Sequence, residues 1–262
     1  MMLDDAYANA AYIDGADSFP PRWKKEAEAF RANLGARAQL NVRYGPSDRQ
    51  KFDLFQPEGV SRGTAVFVHG GYWKAFDKSY WSHLAAGPLA RGYAVAMPSY
   101  DLCPDVRISE ISTQVAAALT EVANRTQGTI VLSGHSAGGH LVARMTDPLL
   151  LGAEVRDRIT RIVPISPVAD LTPLIQTEMN DTLRLDEAEA AAESPMNMTP
   201  PHGVEVTVWV GADERPVFLE QAENFARSWG AKQVVAEGKH HFDVIDPLAK
   251  PDSDLTKALL GS

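Results

Sequence analysis

Cysteine is nearly absent. Cys103 stands alone in 262 residues, so no internal disulfide can form, and a reducing compartment is expected. The lone thiol reads as a small buried hydrophobe. Long hydrophobic runs are missing too: no stretch approaches the roughly 20 apolar residues of a membrane helix. The N-terminus, Met-Met-Leu-Asp-Asp-Ala-Tyr, carries neither the basic nor the apolar region of a secretory signal. The expectation is a cytoplasmic protein with no membrane partner. Positive charge is in deficit, 25 Lys and Arg against 34 Asp and Glu for a net charge of −9, so a basic footprint for nucleic acid is lacking. No His/Cys cluster has metal-ligand spacing, and no glycine-rich phosphate loop or dinucleotide fingerprint occurs, so neither metal nor cofactor is expected.

What is present is a long alternation. Residues 39–44 and 51–55 alternate apolar and polar and read as antiparallel strands joined by Gly45-Pro46-Ser47-Asp48. Residues 64–68 are continuously apolar, as in a strand buried on both faces. Further strands are predicted over 93–97, 129–132, 161–165, 204–210 and 233–236. Helices are predicted over 79–91, from about 108 to 122, and over 137–145, 215–229 and 247–260. The second of these carries the stripe Ile108, Ile111, Val115, Leu119 and Val122. Strand–helix alternation of this kind predicts an α/β fold, a mostly parallel central sheet with helices on both faces. One domain over 1–262 is expected, with an N-terminal helical extension (about 1–35) in which Trp23, Ala27 and Phe30 fall at helical spacing. A cap-like excursion (about 168–200) interrupts the rhythm, and its Leu174 and Ile175 are expected to gate the site.

Chemistry concentrates in Gly134-His135-Ser136-Ala137-Gly138, which fits G-x-S-x-G. That pattern arises by chance in roughly one chain of this length in ten, so its placement between a strand and a helix is the stronger signal. A nucleophile elbow needs this context, and it makes Ser136 the candidate nucleophile of an α/β-hydrolase. His69-Gly70-Gly71-Tyr72-Trp73 follows the buried strand at 64–68, where this fold draws oxyanion-hole amides; those of Gly70, Gly71 and Ala137 are the candidates. Serine needs a base, and the fold orders the triad Ser, acid, His. His240 and His241 both follow the last strand. Asp213, after the strand at 204–210, is the expected acid, with Glu214 as its rival and the alternative role of a charge at a helix N-terminus. Tyr72 and Trp73 are candidate substrate-binding aromatics.

Together these segments resemble the kynurenine formamidases (arylformamidases) of the α/β-hydrolase superfamily. The resemblance rests on His69-Gly70-Gly71-Tyr72-Trp73, on Ser133 to His140, on Ile165-Ser166-Pro167-Val168-Ala169-Asp170-Leu171, on Asn180 to Asp186, on Ser194-Pro195, on Gly211 to Glu214 with Phe218 and Gln221, and on His241-Phe242-Asp243. It runs from about Tyr12 to the C-terminus. The lipase branch usually carries a third glycine where Tyr72 stands here, and one departure from the family stands out, Val217 before Phe218 where an acidic residue is expected. The resemblance selects His241 over His240 as the base. It implies metal-independent hydrolysis of N-formyl-L-kynurenine to L-kynurenine and formate, a step of tryptophan breakdown, with a carboxylesterase for small acyl esters as the alternative. A small-molecule substrate is the expected partner, and a homodimer is left open.

Overall fold

The computed structural model describes residues 2–261. Its frame is one eight-stranded sheet in the order β1-β2-β4-β3-β5-β6-β7-β8. The strands are β1 (Ala38–Arg43), β2 (Lys51–Phe55), β3 (Gly63–Val68), β4 (Ala94–Pro98), β5 (Thr129–His135), β6 (Ile159–Ile165), β7 (Glu205–Gly211) and β8 (Lys232–Ala236). β2 pairs antiparallel with β1 and β4, and the strands from β4 across to β8 are parallel. All eight expected strands exist, and the helix-on-both-faces architecture holds.

The helices are α1 (Met2–Ala6), α2 (Phe19–Leu34), α3 (Ala86–Ala90), α4 (Ile108–Arg125), α5 (Ala137–Arg144), α6 (Ala153–Arg156), α7 (Asn180–Leu183), α8 (Glu187–Glu193), α9 (Pro216–Trp229) and α10 (Asp254–Leu260). Alternation along the central strands sorts the core into two layers. Val66, Val68, Ala96, Ile130 and Leu132 face α4, α5 and α9. Ala65, Phe67, Val95, Met97 and Val131 face α2, α3 and α10. Burying both faces is what makes these strands read as unbroken apolar runs.

Two expected helices are broken. The 79–91 segment is a pair of 3₁₀ turns, Lys78–Tyr80 and Ser82–Ala85, followed by the short α3. Gly87 fits there against Leu248 O, where a Cβ would come within 2.2 Å. The 247–260 segment splits into a 3₁₀ turn, Asp246–Ala249, and α10. Pro251 intervenes, and proline pushes the residue before it out of helical geometry. Cys103 is buried, and burial raises its thiol pKa to about 11.

The excursion is anchored in the first layer. Leu171, Leu174, Leu183, Leu185 and Ala190 belong to its core cluster, and Ile175 packs against it. Below the excursion lies a buried ion pair. Arg144 donates to Glu193 through Nε (3.1 Å) and Nη2 (3.2 Å), and Ser112 Oγ donates to the same carboxylate at 2.6 Å. Removing one partner of such a pair strands a charge in low dielectric, a loss of about 3–5 kcal/mol. Arg144→Ala is therefore expected to lower the urea-unfolding free energy by about that amount. Arg227→Ala, which breaks the exposed pair with Glu223, should cost under about 1 kcal/mol.

Candidate active site

Ser136 alone carries the turn from β5 into α5, at φ 56° and ψ −116°. Two glycines make so tight a turn possible. A Cβ on Gly134 would lie 2.2 Å from Gly138 O, and one on Gly138 would lie 2.0 Å from Val68 O. Helix α5 can therefore start directly against the end of β3, its N-terminal end at Ser136. The Ser136 amide donates to Ile165 O at 2.8 Å, and its carbonyl accepts from His140 N at 3.1 Å.

The loop after β3 abuts this turn. A Cβ on Gly70 would be 3.1 Å from Ser136 Cβ. Among the described residues, the amides of Gly70, Gly71 and Ala137 donate to no acceptor within the protein. The loop is strained, with Tyr72 (φ 49°), Trp73 (φ 55°) and Phe76 (φ 71°) all left-handed. It is held from several sides. Arg49 donates to Tyr100 O at 2.7 Å and also to Phe76 O. The His69 ring lies between Tyr100 (centroids 4.4 Å apart) and Trp81 (5.5 Å), and its Nδ1 meets Gly70 O at 2.7 Å.

Trp73 does not line the site. It is fully buried, and its Nε1 donates to His140 Nδ1 at 3.3 Å. Indole can only donate, so His140 accepts at Nδ1 and donates from Nε2 to Glu193 O at 2.8 Å. Burial keeps this imidazole neutral by lowering its pKa to about 3. His69 is likewise lowered to about 4, and burial holds His135 well below its usual value.

The acid beside His241 is Glu214, not Asp213. His241 Nδ1 meets Glu214 Oε2 at 2.6 Å, with both side chains buried. Asp213 is exposed; its backbone amide donates to Lys239 O at 2.9 Å, and among the described residues no hydrogen bond or ion pair joins its side chain to the imidazole. The extra methylene lets Glu214 fold back under the end of β7, where Gly211 N donates to its Oε1 at 2.9 Å. His240 packs on Phe19 and pairs with Asp243 instead.

Ser136, His135, His241, Gly70 and Gly71 open into one cavity of about 510 Å³. Its walls are aromatic: Trp23, Tyr72, Phe76, Trp81 and Phe242. Lys74 is the cation on its lining, and no hydrogen bond or ion pair occupies that side chain among the described residues. The expected gate is corrected here. Of the excursion only Met179 reaches the cavity, and Leu174 is fully buried in the core. The covering wall comes instead from the N-terminal segment, Tyr7 to Ala11 with Pro20 and Trp23. Tyr72 pins that wall: its hydroxyl donates to Tyr7 O at 2.8 Å and accepts from Asn9 Nδ2 at 3.3 Å. Gln221 helps from below, donating to Tyr7 OH at 3.2 Å while its Oε1 accepts from the amides of Ala169 and Asp170. Asn180 closes its own turn through Leu185 N and O. Nothing local in the sequence marks residues 7–23 as a wall, because their partners lie far along the chain.

The chain matches the α/β-hydrolase fold family over residues 65–245. The kynurenine formamidase of Drosophila melanogaster is 32% identical, covering 84% of this chain and 79% of its own. That of Salmo salar is 28% identical, covering 88% and 83%. This chain belongs to the kynurenine formamidase family of α/β-hydrolases. It is a hydrolase. In structure it resembles a Silicibacter protein provisionally named a thioesterase, at 58% identity and a TM-score of 0.98 over 99% of both chains. Esterase B of Lactobacillus rhamnosis shares the fold at 17% identity and a TM-score of 0.67, covering 96% of this chain and 91% of its own.

Tyr72→Phe should loosen the N-terminal wall, because each lost hydrogen bond contributes about 1 kcal/mol. KM for an aryl substrate is expected to rise about three- to tenfold with kcat changed less. Steady-state kinetics on the purified variant measure this.

Proposed function

We propose that this protein hydrolyses N-formyl-L-kynurenine to L-kynurenine and formate with Ser136 as nucleophile, His241 as base and Glu214 as the acid that orients it. The observation that carries the reading is that His241, in buried contact with Glu214, lines the same aromatic cavity as Ser136. Ser136 Oγ attacks the formyl carbon while His241 takes the hydroxyl proton. Glu214 holds the imidazole and stabilises its protonated form. The unoccupied amides of Gly70, Gly71 and Ala137 are the donors for the developing oxyanion. Collapse breaks the C–N bond as His241 returns the proton to the departing aryl amine. The Ser136 formyl ester is then attacked by water, with His241 again as base. Formate leaves and Ser136 recovers its proton.

Substrate choice is supported by the walls. An aryl ring suits Trp23, Phe76, Trp81 and Phe242, and the cavity volume is in the range of small-molecule sites. Lys74, with no partner among the described residues, offers a cation for the carboxylate of an amino-acid substrate. Family membership points the same way.

Ser136→Ala should abolish turnover, and Glu214→Gln should lower kcat by about 10³-fold or more while Asp213→Asn stays within about threefold of the parent. The reverse ranking would restore Asp213 as the acid.

Comparing kcat/KM for N-formyl-L-kynurenine, a p-nitrophenyl ester and a short acyl thioester tests the substrate. The formamide should lead by at least about tenfold. Lys74→Ala should raise KM for formyl-kynurenine about three- to tenfold and leave neutral formanilide unchanged. A lead for the ester or thioester would overturn the assignment.

A further inference from the structure

The Glu214 carboxylate is held on both oxygens. Oε2 faces His241, while Oε1 accepts from Gly211 N and, at 2.5 Å, from Ser166 Oγ. Ser166 is completely buried and does not line the cavity, so substrate cannot reach it. It follows the last residue of β6, the strand between the one that carries the nucleophile and the one that carries the acid. Its neighbour Ile165 accepts from the Ser136 amide at 2.8 Å. One dipeptide at the end of β6 therefore touches both ends of the triad.

The backbone at Ser166 is left-handed, at φ 48°, and its amide is fixed to Trp209 O at 2.6 Å. A glycine would hold this conformation more easily. A serine kept in an unfavourable conformation, with its hydroxyl on a functional carboxylate, is the kind of strain that accompanies a role. We propose that Ser166 is a positioning residue whose hydroxyl fixes the Glu214 carboxylate in the rotamer that orients His241. The inference rests on the assignment of Glu214 as the acid of the triad.

The mechanism is geometric. Gly211 N and Ser166 Oγ converge on Oε1 from two strand ends and so keep Oε2 turned to His241; without Ser166 the carboxylate keeps one anchor on Oε1 in place of two. The imidazole then loses a fixed partner and samples orientations from which it cannot serve Ser136.

Ser166→Gly removes the hydroxyl while relieving the left-handed backbone, so stability and activity should part company. The melting temperature is expected to hold or rise, kcat to fall about 10- to 100-fold as for a lost hydrogen bond to a charged group, and KM to stay within about twofold. Ser166→Ala should give the same kinetic loss with a lower melting temperature. In a Glu214→Gln background the Ser166→Gly change should cost less than about twofold more, because its route of action is already cut. A kcat within about twofold of the parent for both single variants, or the same fold loss in both backgrounds, would overturn the proposal while leaving the triad assignment intact. Full activity in Glu214→Gln alone would overturn the triad assignment, and this inference with it.

Discussion

Between His135 and Ala137 the chain passes from strand to helix through one residue, and the surroundings of Ser136 are arranged to hold it at φ 56°. The glycines at 134 and 138 let β3, β5 and α5 approach more closely than any side chain would permit. That contact sets where the amides of the loop after β3 lie, and the backbone bond from Ser136 to Ile165 ties the turn to β6. The strain in the loop at Tyr72, Trp73 and Phe76 is tolerated because Arg49, His69 and the buried Trp73 determine it from three directions.

Several of the buried polar groups around the site have partners prepared by distant segments. His140 reads its tautomer from an indole that can only donate, and passes its own proton to a backbone carbonyl under the excursion. Arg144 and Ser112 both serve Glu193. The excursion is thus a support beneath the sheet's working edge, and its apolar residues are core. Its Asn180 and its neighbour Gln221, both part of the resemblance, close turns and fasten segments together without entering the cavity.

The strands and the strand-to-helix turn at Ser136 are legible in the sequence because each has a local cause. Residues 64–68 are apolar throughout since both faces are buried, and G-x-S-x-G follows from steric contact within a few residues. The acidic residue that meets His241 lies one position past the expected Asp213, because sequence order says that an acidic residue follows β7 but not which side chain folds back; Gly211 N and Ser166 decide that, and the latter is 48 residues away. Trp73 was misread because an aromatic beside a glycine pair looks equally suited to a pocket or a core, and only His140 shows which. The wall was missed altogether. Its residues have no periodicity of their own in 7–11, and their placement is fixed by Tyr72, Gln221 and Asp246.

Those long ties impose an order on manufacture. The chain leaves the ribosome N-terminus first, so the segment that covers the cavity is made before everything it must cover. Tyr7 waits for Gln221, 214 residues downstream, and Arg22 for Asp246, 224 residues downstream. The turn at Ser136 and the glycine loop can be in place once β6 has joined the sheet, yet the N-terminal segment finds its seat only after Gln221 and Asp246 have been made. A chain interrupted before Gln221 therefore has Ser136 in its turn but neither His241 beside it nor the N-terminal wall fastened over it.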